Sequence, residues 1–280
     1  MIEHIDIPTP AGTFDGLAAG PRGGRGVLLL HGFPQGAIEW ERQLDALGAA
    51  GYRAVAPNQR GYTPGVRPAD VAGYAMDELV ADALRIADAL GWVRFDVVGH
   101  DWGAAIAWVL ADLHADRLRT LTAVSIPHPA PFAEALRHDE DQRRRSAYLE
   151  MFRQPGAAEQ LMLADGGAGL RRMLAQAVPE ASVDEYVARM SEPGAFTAAL
   201  NWYRATRPDE VEAGPISVPT LYVWGDQDVG VGAAAALGTE SWVTGPYRFE
   251  ALTGISHWVP EQASERLAEE LLSHLGQHAG

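Results

Sequence analysis

The sequence contains no cysteine, which removes disulfides, thiolate metal sites and a thiol nucleophile together and leaves the redox compartment undetermined. It contains no lysine either, so all 22 basic residues are arginine, a bias we attribute to codon usage and not to function. No stretch approaches the roughly 18 apolar residues of a membrane-spanning helix. The opening MIEHIDIPTPAG carries charges and a proline where a secretory leader needs an apolar run. Positive charge is scarce: 37 acidic residues outweigh the arginines and give a formal net charge of −15, which repels phosphate backbones and anionic lipid. The expectation is a cytoplasmic protein with neither nucleic acid nor membrane as a partner, with homo-oligomer formation left open.

What is present is regular alternation. At 280 residues the chain is long enough for one large α/β domain with an inserted subdomain. Residues 3–9 (EHIDIPT) and 13–20 (TFDGLAAG) alternate as an opening pair of strands, and GVLLLHG (26–32) is a buried apolar run. A helical pattern over 37–51 ends on Gly51 and is followed by a strand in YRAVAP. The turn-rich NQRGYTPGVRP then leads into a second helix, over 75–91, closed by Gly91. FDVVGH, GAAIAWVLADLHAD and RTLTAVSI read as strand, helix, strand. This spacing predicts a mostly parallel sheet covered on both faces. From residue 127 to 215 the alternation stops and the chain is helical and arginine-rich, interrupted by a flexible ADGGAGL. Sheet signals return in VPTLYVWG and YRFEALTG, and QASERLAEELLSHL closes the chain as a helix. The predicted organisation is a core of residues 1–126 and 216–280, with eight strands in all, and a helical cap of residues 127–215.

Three loops at the ends of these strands carry chemistry. VVGHDWGA has the layout of a nucleophile elbow, G-x-S-x-G, with Asp101 in the serine's place; Gly99, Gly103 and Ala104 are the small residues such a turn requires. Asp101 could equally be an N-cap of the following helix. His257, late in the chain in ALTGISHWVPE, stands where Ser-Asp-His chain order puts a general base. Asp228 in VWGDQDVGV stands where the orienting acid belongs, with Asp226 a rival that could merely close an Asx-turn. In LLLHGFPQG a turn after a buried strand points the Phe33 N–H toward the same sheet edge. With the Trp102 N–H it would form an oxyanion hole. Around these, Pro34, Trp202 and Trp258 suggest an apolar pocket, and His128 is either a pocket residue or a structural loop residue.

GHDWGAAIAW together with HGFP, QRGY, VWGDQD and GISHWVPEQ resembles the epoxide hydrolase branch of the α/β-hydrolase superfamily over nearly the whole chain. The resemblance implies an α/β-hydrolase fold with an inserted helical lid, and a small apolar epoxide and water as reactants. It also implies two lid tyrosines that hydrogen-bond the epoxide oxygen: Tyr203 in LNWYR and Tyr148 in YLEMFRQPG. The chain departs from the pattern at Arg153, where Gln often stands, and at Asn58, where Asp often stands. A carboxylate nucleophile suits this chemistry, because opening an epoxide on serine leaves an inert ether whereas opening it on Asp101 leaves a hydrolysable ester. The implied catalytic set is Asp101, His257, Asp228, Tyr203 and Tyr148, with no metal and no organic cofactor. Two rivals remain. A haloalkane or haloacid dehalogenase would use the same nucleophile, but its usual halide-binding Asn or carboxylate-binding Arg is replaced here by Phe33 and Trp102. A non-catalytic ligand-binding protein could also be built on the same scaffold.

Overall fold

Val27 and Leu29 point to one side of a strand and Leu28 and Leu30 to the other, and all four are buried, so this strand needs cover on both faces. The computed structural model, which describes residues 1–175 and 177–278, supplies that cover. The described strands are β1 (Ile2–Thr9), β2 (Gly12–Ala19), β3 (Gly26–Leu30), β4 (Arg53–Pro57), β5 (Phe95–His100), β6 (Leu118–Val124), β7 (Thr220–Gly225) and β8 (Tyr247–Leu252). They form one eight-stranded sheet in the order β1-β2-β4-β3-β5-β6-β7-β8. β1 and β2 pair antiparallel, β2 pairs antiparallel with β4, and the rest is parallel.

The helices, in chain order, are α1 (Glu41–Ala49), α2 (Met76–Ala89), α3 (Trp102–Leu113), α4 (Pro129–His138), α5 (Glu140–Arg145), α6 (Tyr148–Arg153), α7 (Ala157–Leu174), α8 (Glu180–Met190), α9 (Ala195–Ala205), α10 (Ala233–Gly238), α11 (Val259–Gln262) and α12 (Ser264–Gln277). Leu44 and Leu47 of α1 and Leu267, Leu271 and Leu275 of α12 pack on Val27, Leu29 and Val98. On the opposite face Leu79, Ala83 and Ile86 of α2 and Ala104, Ala107 and Trp108 of α3 pack on Leu28, Leu30 and Val97. Period-2 strands and period-3.6 helices thus divide the apolar residues between two cores.

Helices α4 to α9 lie between β6 and β7 and close over the sheet's carboxyl edge, with Phe132, Phe152, Phe196, Leu200 and Trp202 continuous with the Leu30 core. The ADGGAGL segment interrupts α7, whose two helical pieces meet across non-helical backbone from Ala164 to Gly167. Asp165, Gly166 and Gly167 take positive φ (50°, 68° and 84°) as a break inside α7. The strand expected over 119–126 stops at Val124, because Ser125 turns to φ 67°. The short α10 in the GAAAALG stretch has no counterpart in the sequence reading.

Candidate active site

Register puts four strand ends side by side. Leu30 of β3 pairs with Gly99 of β5, His100 with Val124 of β6, and Val124 with Val223 of β7. At this edge β5 reverses abruptly into α3, and Asp101 sits at the corner with φ 50° and ψ −118°, a conformation that costs a non-glycine residue on the order of 1–3 kcal/mol. The turn is too tight for side chains on either side. A Cβ on Gly99 would lie 2.1 Å from the Gly103 carbonyl oxygen, and one on Gly103 would lie 2.0 Å from that of Leu30. Asp101 precedes α3, yet its side chain caps no helix N–H, so the N-cap reading of this residue does not hold. Its Oδ1 instead accepts the Phe33 N–H at 2.9 Å. The Trp102 N–H belongs to the first turn of α3, whose amides have no acceptor within the helix. Phe33 and Pro34 are joined by a cis peptide.

His257 follows β8 and reaches back to the elbow, with Nε2 3.4 Å from Asp101 Oδ2 and Nδ1 2.9 Å from Asp228 Oδ2. Asp228 is fully buried, and its Oδ1 accepts the N–H groups of Gly230 and Val231 at 2.7 and 2.9 Å. Asp226 faces away, where it accepts the Gly254 N–H at 2.7 Å. Burial alone would push the His257 imidazole down, but the carboxylates of Asp228 and Asp101 more than reverse this and hold it well above its ordinary range. Burial would likewise raise Asp101; the facing His257, with help from the Phe33 N–H, brings it below the usual carboxylate value. The resting site therefore holds an imidazolium between two carboxylates.

A second layer that sequence reasoning did not find fixes the His257 backbone. Its carbonyl accepts the Ser125 hydroxyl at 2.7 Å and His100 Nε2 at 2.9 Å. Because a carbonyl only accepts, His100 carries its proton on Nε2 and leaves Nδ1 bare. Burial pushes His100 down to about 4 and keeps it neutral. Glu39 Oε1 stands 3.2 Å from that bare nitrogen, outside ordinary donor geometry for a ring N–H. Burial, reinforced by the Asp101 charge, raises Glu39 well above its usual value, so a protonated carboxyl is the partner that fits there. Glu39 Oε2 accepts the Gly32 N–H at 3.1 Å, which ties the Phe33 turn to the His257 loop. The only sequence signal for this layer was a histidine beside the elbow aspartate; a lone serine after a strand carries none.

Above the elbow the cap contributes aromatics. The Tyr203 ring lies 5.0 Å from Trp102 and 5.3 Å from Phe33, both edge-on. Phe152, one helical turn after Tyr148 on α6, contacts Tyr148, Tyr203 and Phe33 at 5.1–5.2 Å. Desolvation raises the phenol of the buried Tyr203 and also that of Tyr148, although Tyr148 as a residue is 40% exposed at the cap surface, and the Asp101 charge raises both further, so both are proton donors at neutral pH. These two tyrosines, Asp101 and Trp102 line a cavity of about 50 Å³ with Ile126, Phe132 and Leu149. Four residues expected in this pocket do not line it. Trp202 is turned into the core by its indole N–H, which donates to the Arg60 carbonyl at 3.0 Å. His128 caps α4 and stacks on Trp242. Trp258 packs edge-on against His257 behind the site, and Pro34 lies buried in the turn after Phe33. The cap is tied to the acid loop by Gln142, which donates to the Gly230 carbonyl and accepts the Gly232 N–H, and by Arg145, which donates to the Asp228 carbonyl.

A sharp strand-to-helix corner at the carboxyl edge of a parallel sheet, roofed by an inserted helical cap, defines an α/β-hydrolase architecture. The family model described as alpha/beta hydrolase fold matches residues 26–263. Over 91% of its length the chain is 32% identical to Epoxide hydrolase 3 of Xenopus tropicalis, of which it covers 72%. It is 30% identical to Epoxide hydrolase A of Mycobacterium tuberculosis, with 92% of each chain covered. A solved structure described as a novel epoxide hydrolase from metagenomes of hot environments has a TM-score of 0.87 at 28% identity, covering 98% of this chain and 99% of its own. The chain belongs to the α/β-hydrolase family and, within it, to the epoxide hydrolase branch. No helix among the described residues is long and apolar enough to cross a membrane.

Proposed function

We propose that the protein hydrolyses an epoxide to a vicinal diol through an ester on Asp101. The observation that carries the reading is the elbow carboxylate, strained out of any capping role, with Oδ1 on the Phe33 N–H at 2.9 Å and Oδ2 facing His257 Nε2 at 3.4 Å. In the first step Oδ2 attacks an epoxide carbon and the ring C–O bond breaks. The leaving oxygen takes a proton from Tyr148 or Tyr203, while the other phenol donates a hydrogen bond. In the second step His257, oriented by Asp228, removes a proton from water. The hydroxide adds to Asp101 Cγ, and the charge that forms on Oδ1 meets the N–H groups of Phe33 and Trp102. The acyl–oxygen bond then breaks, and the departing oxygen takes the proton of the Asp101 carboxyl that hydroxide addition formed. The diol leaves with Asp101 ionised and His257 protonated. The phenolate of the first step regains its proton from the imidazolium before water is activated. The two phenols favour an epoxide over a halide, because an alkoxide needs a proton in order to leave and a halide does not.

The pathway writes its signature in the oxygen atoms. Under single turnover in heavy-oxygen water, label should enter the Asp101 carboxylate and be absent from the diol. Label in the diol on the first turnover means direct attack by water and rejects the ester.

A further inference from the structure

The acid that orients His257 stands on backbone with little support of its own. Asp228–Gly232 carries two glycines and belongs to no strand or helix, so intrinsic preference does not hold it in one conformation. Hydrogen bonds within the core tie its two ends: the Asp228 N–H donates to the Gly225 carbonyl at 3.1 Å, and the Gly232 carbonyl accepts the Ala236 N–H of α10 at 3.2 Å. Between those ends the ties come from the cap. Helix α5 lays Gln142 along the loop, with Nε2 donating to the Gly230 carbonyl at 2.7 Å and Oε1 accepting the Gly232 N–H at 2.8 Å. A Cβ on Gly232 would lie 3.4 Å from Gln142 Oε1 and 3.2 Å from Asp141 Oδ2, so the glycine makes room for this approach. Arg145, nearly one turn on, donates to the Asp228 carbonyl and is held by Asp141 at 2.7 Å. Gln142 is fully buried, and its amide also donates to the Ser146 hydroxyl at 3.0 Å, which fixes the direction in which it points. The clamped stretch is the one the acid itself uses, because Asp228 Oδ1 accepts the Gly230 and Val231 N–H groups. Moving that stretch moves both donors and turns the carboxylate, and Oδ2 then leaves His257 Nδ1, 2.9 Å away.

We propose that α5 is a bracket for the acid of the triad, with Gln142 and Arg145 as positioning residues that act on the second step through Asp228. This rests on the Asp101 ester reading. Neither residue lines the cavity at Asp101, so their effect is on the base and not on the substrate. The cap thereby serves both half-reactions with different helices: α6 and α9 bring phenols to the epoxide, and α5 holds the acid that orients His257. A neutral hydrogen bond is worth about 2- to 10-fold, so loss of both Gln142 ties should slow ester hydrolysis about 5- to 100-fold while alkylation stays within about threefold.

The test uses Gln142→Met, which keeps the side chain's length and removes both ties, with rapid mixing and intact mass to separate alkylation from ester hydrolysis. Ester should accumulate. By NMR, His257 should titrate at lower pH than in the parent, because Asp228 is the first of the groups that raise it. In the Asp228→Asn background the same substitution should cost less than about twofold, since a residue that acts through the carboxylate has nothing left to act on. Ser146→Ala removes the tie within the cap, keeps both ties to the loop, and should behave as the parent. Additive losses in the double variant, an equal loss in Ser146→Ala, or alkylation slowed as much as hydrolysis would each show a general loosening of the cap and overturn the bracket. Arg145→Met removes the third tie from a partly exposed position and should show the same signature at about 2- to 5-fold; if Gln142→Met does not fold, Arg145→Met decides by the same criteria. The NMR titration needs no substrate. If no epoxide is opened but Gln142→Met moves the His257 titration, the ester reading fails and the bracket stands. If His257 titrates as in the parent, the bracket fails.

Discussion

Replacing Asp228 by Asn removes one charge and almost no volume, which makes it a clean probe of the proposed second step. Asp228 is buried and makes three contacts: Oδ1 accepts two backbone N–H groups and Oδ2 accepts His257 Nδ1–H at 2.9 Å. In the variant the amide oxygen can keep both backbone N–H groups, which leaves the NH₂ facing Nδ1. Two donors cannot face each other, so the ring takes the other tautomer, with Nδ1 bare and the proton on Nε2. A protonated Nε2 cannot accept a proton from water. In serine hydrolases the equivalent exchange costs about 10⁴ in kcat; allowing for the smaller demand of ester hydrolysis, we expect about 10³–10⁴, or roughly 4–5.5 kcal/mol at 1.36 kcal/mol per decade. Alkylation of Asp101 should slow by less than about tenfold, so rapid mixing should show a fast burst and intact mass should show enzyme plus substrate. The acid limb of the pH profile should also move down, because Asp228 is the first of the groups that raise His257. Asp226→Asn is the control: its oxygen can still accept the Gly254 N–H, and turnover should stay within about threefold. If Asp228→Asn turns over within tenfold of the parent, or Asp226→Asn is the variant that accumulates ester, the assignment of the acid is wrong.

His257→Gln should alkylate quickly and stall, with the ester persisting in the mass spectrum for hours; steady turnover by this variant would remove His257 from the mechanism. Tyr148→Phe and Tyr203→Phe should each slow epoxide opening by up to about 10²–10³, softened by the remaining donor, and together nearly abolish it. Opening at the parent rate by the double variant would make both rings packing residues. Stability should peak near pH 6.5. His31 (about 3), His100, His128 and His274 (each about 4) are buried neutral, so below pH 6.5 the unfolded chain binds up to four more protons than the folded one. Raised Glu39 and Glu261 oppose this with about two, which leaves a loss of roughly 2–3 kcal/mol per pH unit down to about pH 4.5. Above pH 6.5, Glu39, Glu261 (about 8) and His257 retain protons in the folded state that the unfolded chain has released. Stability therefore falls again as pH rises toward 8, and thermal melts flat from pH 4.5 to 8 would refute the balance.

The core was legible because its signals are local. Apolar runs bounded by glycine marked the strands, and GHDWG marked the corner through small residues that the backbone geometry demands, as the 2 Å approaches at Gly99 and Gly103 bear out. Chain order anticipated the meeting of Asp101, His257 and Asp228, because parallel strands deliver their carboxyl ends to one edge. The cap was harder. Helices such as α4, α8 and α9 are amphipathic, and periodicity identifies an apolar face without saying whether that face meets core or cavity. Trp202 shows the difficulty. It is large, apolar and adjacent to Tyr203, yet its indole N–H requires an acceptor and finds it in the Arg60 carbonyl, so the ring points inward. Phe132 and Leu149 have no such polar demand and were free to line the cavity. The Glu39, His100 and Ser125 layer was hidden for a different reason. Its members come from an α1-proximal turn, β5 and the end of β6, and only the fold brings them together.

Under the proposed mechanism a single charge times both steps. Before reaction the Asp101 carboxylate helps to keep His257 protonated, and an imidazolium cannot act as a base, so water is not activated while the nucleophile is free. The same carboxylate helps to keep the Tyr148 and Tyr203 phenols protonated. When Oδ2 attacks, that negative charge moves from Asp101 to the epoxide oxygen, where the two phenols receive it. Esterified Asp101 is neutral, so the Coulombic and hydrogen-bonding support it gave the imidazolium disappears. Burial, the largest influence lowering His257, is then opposed chiefly by Asp228. The imidazole can release its proton and become the base that the ester requires. The order of events thus follows from charge conservation at Asp101, with no movement of the cap. It has a measurable consequence: His257 should titrate at lower pH in the trapped ester than in the resting enzyme, and identical histidine titration in the two states would refute the coupling.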